Sequence, residues 1–191
     1  MRISETKIAG TVVNGTAGDV NWTQFGGTLQ SRVAASDNQY VYANLANGQT
    51  TMGLKCSDFG HDLPPYASVA GQQVHKEQKA SAVASIKDHV IKLILADGTL
   101  GSENKAIDAY WDSSDEEVDH GDERDPWGER LLGADLNDSD SGCSIRAKNW
   151  AAGSRLPYLD YVEKTVWVDV GPLVGQAVSV GAVRSPGRWR G

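Results

Sequence analysis

The chain has 191 residues, 40% of them hydrophobic, and a formal net charge of −7 at pH 7. This length suits one domain, and such a domain buries a hydrophobic core without disulfide bonds. The acidic balance argues against nucleic acid and against anionic membranes as partners, because both attract basic surfaces. No apolar run approaches the roughly 18 residues that a transmembrane helix needs. The first residues lack the apolar region of a signal peptide, so we expect production in a cytoplasm.

Alternating polar and apolar residues predict β-strands along most of the chain. The clearest signal is a hairpin over residues 40–56, because Asn47-Gly48 separates two alternating runs and accepts the positive φ of a tight turn. Residues 24–38 are predicted to be mostly loop. The predicted strands are residues 2–13, 20–23, 40–45, 52–56, 69–79, 86–95, 142–149 and 158–170.

These strands, with frequent turn signals and no helical periodicity, predict an all-β fold: a single jelly-roll-like β-sandwich with extended N- and C-terminal arms. The predicted division is an N-terminal strand or arm over residues 1–18, the sandwich over 19–170 and an extended C-terminal arm over 171–191. The last segment is rich in glycine and has no acid. We expect it to be either a floppy tail or an arm that orders on a neighbouring subunit. Its interface candidates are Arg184, Arg188, Trp189 and Arg190.

The two cysteines, Cys56 and Cys143, are too few for a disulfide scaffold and lack CxxC spacing. Each alternates with apolar neighbours, which is typical of a small apolar residue on the inward face of a strand. A buried disulfide between them and a reactive thiol are the alternatives.

An acidic stretch from Asp112 to Asp140 holds 12 of the 25 acidic residues. Its first half is predicted to be a long solvated loop between strands, and residues 127–140 to lead into the strand that begins at Gly142. Oxygen ligands at alternate positions before a glycine are typical of a calcium loop, but the closing glutamate is missing. The sequence therefore predicts no metal site, with only a weak candidate at Asp135, Asp138 and Asp140.

No enzymatic motif is present. The four histidines show no metal-binding spacing, and no nucleophile elbow or phosphate-binding loop occurs. We therefore expect a protein without catalytic residues and without a cofactor. Trp111 and Trp127 flank the acidic stretch. If exposed, they would stack on sugars or anchor an interface; the alternative is that they pack over the open end of the sandwich.

Several short pieces occur in a particular order between residues 21 and 168. They are Asn21-Trp22-Thr23, Ala35 to Asn38 with Val41 to Ala43, Leu54-Lys55, Phe59-Gly60, Leu63-Pro64 to Ala67, Gly101, Asn104 to Ala106, Trp111, Trp127-Gly128, Ala134 to Asn137 before Gly142, and the strand Tyr161 to Val168. Their order resembles a β-sandwich domain of virion structural proteins of tailed bacteriophages, of the head decoration (cement) or tail-fibre type.

This resemblance implies a capsid decoration protein that binds and stabilises the head shell. Its expected partners are the major capsid protein and further copies of itself, as a homotrimer, with no nucleic acid and no membrane. Its expected location is the capsid surface of the virion. The alternative is a receptor- or carbohydrate-binding module at a tail fibre or tail tip. The resemblance brings no catalytic residue.

Overall fold

The computed structural model describes residues 1–171. Ten strands and two four-residue helices form in this part of the chain, and neither helix is long or apolar enough to cross a membrane. The elements are β1 (Arg2–Ile8), β2 (Thr11–Asn14), β3 (Thr23–Gln24), α1 (Leu29–Arg32), β4 (Val41–Tyr42), β5 (Leu54–Ser57), β6 (Ser68–Ala80), β7 (Ile86–Ile94), β8 (Glu116–Asp122), α2 (Gly133–Leu136), β9 (Gly142–Asn149) and β10 (Pro157–Asp169).

The strands form two antiparallel sheets that pack face to face. The six-stranded sheet has the order β3-β4-β10-β6-β8, with β1 also paired to β10, beyond the end of β4. The four-stranded sheet has the order β2-β5-β9-β7. One buried cluster joins the inward side chains of both sheets, including Val162 of β10 and Ile145 of β9. The predicted all-β sandwich is therefore confirmed.

Strand β10 organises the six-stranded sheet because it is paired along both edges. Its side chains alternate, so that Val162, Val166 and Val168 are buried while Tyr161 and Trp167 face outward and are only partly buried. Val162 belongs to the cluster between the sheets, whereas Val166 and Val168 pack in a second cluster with Leu63, Ala67 and Leu136. A register shift between Leu159 and Tyr161 interrupts this alternation. Such a bulge lets an extra residue point away from the regular ladder.

The first residues are part of the sandwich. Strand β1 lies along β10 and β2 lies along β5, so residues 2–14 contribute to both sheets. The Met1 ammonium donates to the Val170 carbonyl at 3.0 Å, and the Val170 N–H donates to the Met1 carbonyl at 2.8 Å. The sequence predicts a strand or arm over residues 1–18. Both strands of this segment are paired with strands of the sandwich. The predicted C-terminal arm lies outside the described residues, apart from Gly171.

The predicted hairpin over residues 40–56 is wrong. The turn at Asn47-Gly48 exists, with Gly48 at φ 80°, but the segments on either side belong to different sheets. Val41–Tyr42 pairs with β10, whereas Leu54–Ser57 pairs with β2 and β9. The turn is therefore part of a crossing between sheets, because each flanking run finds a longer partner elsewhere.

The acidic stretch is also more ordered than predicted. Residues 116–122 form the edge strand β8 instead of a loop, and His120 points into the core. Glu117 and Asp119, the alternate residues, face solvent. The inward series Glu116, Val118, His120 is so polar that its period of two does not read as a strand. Exposed carboxylates on an edge strand also discourage pairing with another chain.

A buried ion pair joins the two sheets. Lys76 on β6 donates from Nζ to Oδ1 of Asp88 on β7 at 2.8 Å, and both side chains are almost fully buried. The indole N–H of Trp111 donates to the same oxygen at 3.1 Å. Burial lowers the pKa of Lys76, and the charge of Asp88 acts in the opposite direction. Each charge depends on the other because neither reaches water.

His120 lies beside this ion pair. Its Nδ1 donates to the Lys105 carbonyl at 2.9 Å, and its Nε2 is 3.7 Å from Oδ2 of Asp88. Burial, followed by the charge of Lys76, lowers the pKa of His120 to about 4, although Asp88 and Asp119 oppose the shift. The ring is therefore neutral at pH 7.

We predict that removing either member of the ion pair strongly destabilises the fold, and that the losses caused by the two single changes are not additive. Lys76→Met should lower the free energy of unfolding by about 3–5 kcal/mol, because it leaves the Asp88 carboxylate buried and unpaired. The double variant Lys76→Met, Asp88→Asn keeps an acceptor for Trp111 and should lose less than the two single variants together. Urea unfolding of the four proteins measures this, and additive losses would contradict it.

We also predict that stability falls as the pH drops from about 6.5 to about 4. The His120 pKa is lower in the folded than in the unfolded chain. Between these pH values the unfolded chain therefore binds a proton that the folded chain does not bind, and the free energy of unfolding falls. The full contribution is about 3 kcal/mol. His120→Asn keeps a donor for the Lys105 carbonyl and should flatten the stability curve between these pH values. Thermal melts across the pH range test this, and parallel curves for both proteins would refute it.

Candidate functional site

A cleft of about 440 Å³ opens near the start of β10, on the outer side of the six-stranded sheet. Aromatic side chains dominate its walls, and amide and guanidinium groups border them. We call it the tyrosine cleft; it is lined by Phe25, Arg32, Asn38, Gln39, Tyr40, Tyr42, Leu156 and Tyr158.

Strand register places two of these tyrosines side by side. Tyr42 of β4 pairs with Tyr158 of β10, and Tyr158 pairs with Lys79 of β6. Their neighbours Val41 and Leu159 are fully buried. Because side chains alternate along a strand, Tyr42, Tyr158 and Lys79 project together from the outer face. Antiparallel pairing thus builds the floor of the cleft.

Four aromatic rings follow one another along the cleft. Phe25 stacks on Tyr42 with ring centroids 6.2 Å apart and planes inclined by 25°. The Tyr42 and Tyr158 centroids are 6.1 Å apart, and Tyr40 meets Tyr158 edge to face at 5.6 Å. Phe25 is 84% exposed. The rings form a continuous aromatic surface open to solvent.

Lys79 and Asp115 hold Tyr40 in place. The Lys79 ammonium lies 3.9 Å from the centre of the Tyr40 ring and 3.3 Å from the Asp115 carboxylate. The Tyr40 hydroxyl lies 2.9 Å from Oδ1 of Asp115 and 2.9 Å from Oδ1 of Asn38. Burial raises the pKa of Tyr40, while the nearby Lys79 ammonium acts in the opposite direction. The hydroxyl is therefore protonated at neutral pH and can donate.

The loop that carries Asn38 and Gln39 is held by one buried carboxylate. Oδ2 of Asp160 accepts from the N–H groups of Asp37 at 3.1 Å and Asn38 at 2.7 Å, and Oδ1 accepts from Gln39 at 3.3 Å. Asp160 lies at the register shift in β10, which directs it toward this loop. Burial raises the pKa of Asp160, and the backbone hydrogen bonds oppose that rise. Asn38 has φ 62°, so the carboxylate stabilises a loop conformation that few residues adopt freely.

Arg32 fixes the loop that carries Phe25. Its Nε donates to the Gly26 carbonyl at 3.2 Å and its Nη2 donates to the Phe25 carbonyl at 2.7 Å. Arg32 is the last residue of α1, whose first turn is capped by the Thr28 hydroxyl. A helix of one turn is thus enough to place a guanidinium group at the edge of the cleft.

The two tryptophans that were candidates for sugar stacking are buried. Trp111 is 2% exposed and Trp127 is 1% exposed. Trp111 donates to Asp88, and Trp127 donates from Nε1 to the Gln72 carbonyl at 2.8 Å. Of the two alternatives that the sequence leaves open at these positions, exposed stacking is wrong, because both side chains pack in the core. A large buried indole usually finds an acceptor for its N–H, as both do here.

The weak metal candidate consists of carboxylates that cap turns. Asp135 accepts from the Leu132 N–H at 2.7 Å, and Asp138 accepts from the Asp140 N–H at 2.9 Å. Within residues 1–171, no three acidic, histidine or cysteine side chains are placed to hold a metal ion. The interface candidates lie outside the described residues; they are Arg184, Arg188, Trp189 and Arg190.

Cys56 and Cys143 lie where the sequence predicts, on inward strand faces, and both are fully buried and free. They face each other in register across β5 and β9. Lys164 reaches this region from β10, and burial lowers its pKa to about 8. Burial and the neighbouring Cys143 raise the pKa of the Cys56 thiol, so it is a poor nucleophile.

No family model matches the sequence, and no curated protein matches it significantly. Solved structures of similar shape include a xylan-binding domain from Paenibacillus barcinonensis, with 13% identity, a TM-score of 0.39, and coverage of 82% of this chain and 99% of that one. The cellulose-binding domain of a Cellulomonas fimi β-1,4-glucanase has 10% identity, a TM-score of 0.35, and coverage of 72% and 83%. A family 35 carbohydrate-binding module from Clostridium thermocellum has 11% identity, a TM-score of 0.34, and coverage of 85% and 97%. Similarity at this level assigns no function.

We predict that Asp160 is the group that orders one wall of the cleft. Asp160→Ala should lower the free energy of unfolding by about 1–3 kcal/mol, because three backbone N–H groups lose their acceptor. Asp160→Asn keeps one oxygen acceptor and should lose less. Hydrogen exchange at the amides of residues 37–39 should accelerate in Asp160→Ala, and unchanged exchange at these amides would contradict the assignment.

Proposed function

We propose that this chain is a carbohydrate-binding β-sandwich domain and that the tyrosine cleft takes a neutral glycan. The observation that carries the proposal is the continuous row of four solvent-open aromatic rings, Phe25, Tyr42, Tyr158 and Tyr40. A sugar ring has an apolar C–H face and hydroxyl groups around its edge. An aromatic ring covers the apolar face, while polar groups beside it bond to the hydroxyls.

The polar groups around the rings suit this ligand. Asn38 and Gln39 present amides, which both donate and accept hydrogen bonds, and Arg32 presents a guanidinium group at the rim. Hydroxyl groups need such mixed donors and acceptors. The cleft is open along its length, so it admits a chain of several sugars as well as a single one.

The surface is also pre-organised. Tyr42 and Tyr158 stand on paired strands, and Tyr40 is held by Lys79 and Asp115. Rigid tyrosines offer a large contact area at a small loss of side-chain entropy, because they have few rotatable bonds. Little conformational entropy remains to be lost on binding, which favours affinity.

We propose binding without hydrolysis. Hydrolysis of a glycosidic bond generally uses two carboxyl groups that flank the bond. No carboxylate is among the residues that line the cleft in the described part of the chain. Asp160 lies behind the wall and is occupied by three backbone N–H groups.

A place on a virion stays a prediction. The resemblance to phage proteins implies either a capsid decoration protein or a carbohydrate-binding module of a tail, and the tyrosine cleft favours the second. The expected partners, the major capsid protein and two further copies in a homotrimer, would be met through residues that include the undescribed segment 172–191.

We predict that each central ring of the cleft is needed for glycan binding. Tyr42→Ala and Tyr158→Ala should each weaken binding by about tenfold or more, as expected when a central aromatic contact is truncated. Tyr42→Phe and Tyr158→Phe keep the rings and should bind within a few-fold of the original chain. A glycan array identifies the ligand, and isothermal titration calorimetry with that soluble glycan measures the affinities.

The matched control is Tyr66→Ala. Tyr66 is exposed and lies outside the cleft, so its loss should leave the affinity unchanged. Binding that survives in both cleft variants, or that is lost equally in Tyr66→Ala, would place the glycan elsewhere. Failure of the folded protein to bind any glycan on the array would refute the proposed function.

A further inference from the structure

The outer face of the four-stranded sheet is basic, although the molecule is acidic. The outward positions of β5, β7 and β9 include five cationic residues and no carboxylate. The whole chain has a net charge of −7, and the 171 described residues hold all 25 acidic residues. A third of the lysines and arginines before residue 172 are therefore concentrated here. We call this surface the basic face; its residues are Lys55, Lys87, Lys92, Arg146 and Lys148.

Strand register brings these cations close together. Lys87 and Lys148 are directly opposite each other on β7 and β9. Lys55 and Lys92 flank Ser144 in one row across three strands, which separates their Cα atoms by about 10 Å. Like charges directly opposite each other destabilise a sheet. The arrangement therefore maintains a repulsion that an anion would relieve.

Little of this charge is neutralised within the described residues. Lys87 pairs with Asp108 at 2.7 Å, but the Asp108 side chain is almost fully exposed and the pair is screened by water. Lys92 donates only to the carbonyls of Gly101 and Ser102, and Arg146 to groups of residues 50–51.

Lys55 and Lys148 form no ion pair within residues 1–171. The acidic group nearest Arg146 is Asp19, which already accepts two hydrogen bonds from Thr50. Burial, together with the charges of Arg146 and Lys148, lowers the pKa of His89 on β7. Of the five cations, only Lys87 forms an ion pair within the described residues, so the face keeps an excess of positive charge.

Two exposed aromatic side chains stand at one end of the basic face. Trp150 is 53% exposed and Tyr110 is 46% exposed. The Lys148 ammonium lies 4.1 Å from the Trp150 ring, and the Lys87 ammonium lies 4.5 Å from the Tyr110 ring. A groove of about 240 Å³ continues along the face toward the loop 15–17 and borders Lys55, Lys92 and Arg146. The two rings thus stand beside Lys87 and Lys148 at one end, and the groove with the other three cations continues from there.

We propose that the basic face binds an acidic polysaccharide that carries carboxylates on its sugars, a polyuronate. The cations match the carboxylates, and the exposed rings of Trp150 and Tyr110 match the apolar faces of the sugars. This site is separate from the tyrosine cleft, because the two lie on the outer faces of opposite sheets. It goes beyond the proposed function, since its ligand is charged and its residues are different.

The lower charge density of a polyuronate favours it over a nucleic acid as the ligand. Duplex DNA carries one phosphate charge for about every 1.7 Å of its axis. The dense field of DNA repels a molecule that is negative overall, and the acidic strand β8 on the opposite sheet adds to that repulsion. A polyuronate has one charge per sugar at most, so a local basic face is sufficient to hold it.

The test uses polygalacturonate, its fully methyl-esterified form and duplex DNA as probes for the full chain. We expect polygalacturonate to bind, the neutral ester to bind at least tenfold more weakly, and the affinity for polygalacturonate to fall as sodium chloride is raised. The double variant Lys55→Gln, Lys148→Gln should bind polygalacturonate about tenfold more weakly. Trp150→Ala should weaken binding of polygalacturonate with the lysines intact.

The matched control is Arg124→Gln, Arg130→Gln, which removes two exposed positive charges between β8 and α2 and leaves the basic face intact. Equal losses in both double variants would show a general charge effect and overturn the proposal. Binding of DNA as tight as that of polygalacturonate would also overturn it. Sedimentation of the chain without ligand tests whether a second copy of the chain covers the basic face instead. Self-association that the double variant Lys55→Gln, Lys148→Gln abolishes would assign the face to the acidic surface of that copy and overturn the proposal.

The experiments test the two proposed sites independently. Tyr42→Ala should leave polygalacturonate binding unchanged, and Lys55→Gln, Lys148→Gln should leave binding at the tyrosine cleft unchanged. Loss of polygalacturonate binding in Tyr42→Ala would show that the acidic chain uses the cleft, which would overturn the second site and keep the first.

Discussion

The contact between Lys76 and Asp88 is the constraint on which the sandwich depends most directly. It joins a central strand of one sheet to an edge strand of the other, away from water. Such a pair adds little net stability compared with apolar residues. A shift between the sheets would nevertheless be costly, because it would separate two buried charges. Trp111 and His120 gather around it. The ion pair therefore specifies how the sheets face each other, and the hydrophobic cluster beside it provides the stability.

The fold class follows from local patterns, whereas the pairing of strands does not. The period of two along residues 158–169 is explicit in the sequence, and β10 forms there. The Asn47-Gly48 turn is equally explicit, yet its flanking runs enter different sheets, because strand partners are decided by contacts between residues far apart in the chain. Strand β8 shows a second reason why a strand can be missed in the sequence. Its inward positions are occupied by Glu116, Val118 and His120, and polar inward residues hide the alternation that a strand prediction needs.

The candidate site was harder to find for a related reason. Sequence reasoning left open whether Trp111 and Trp127 are exposed, and both are buried with their indole N–H groups satisfied. The tyrosine cleft uses Tyr42 and Tyr158, which are more than 100 residues apart and become neighbours only through the register of β4 and β10. One signal was present. Tyr42, like Tyr158 and Tyr161, stands beside apolar residues on a strand, in a position where an outward face is usually polar.

Met1 and Val170 lie far from the tyrosine cleft. Met1 and Val170 are hydrogen-bonded to each other at the far end of β10, whereas Tyr158 stands near its beginning. Twelve residues of extended strand separate these points by about 40 Å. A tether attached in front of Met1, such as a surface linker or a fluorescent fusion, would therefore leave from the pole opposite the aromatic rings. The length of β10 would thus separate such a tether from the aromatic rings.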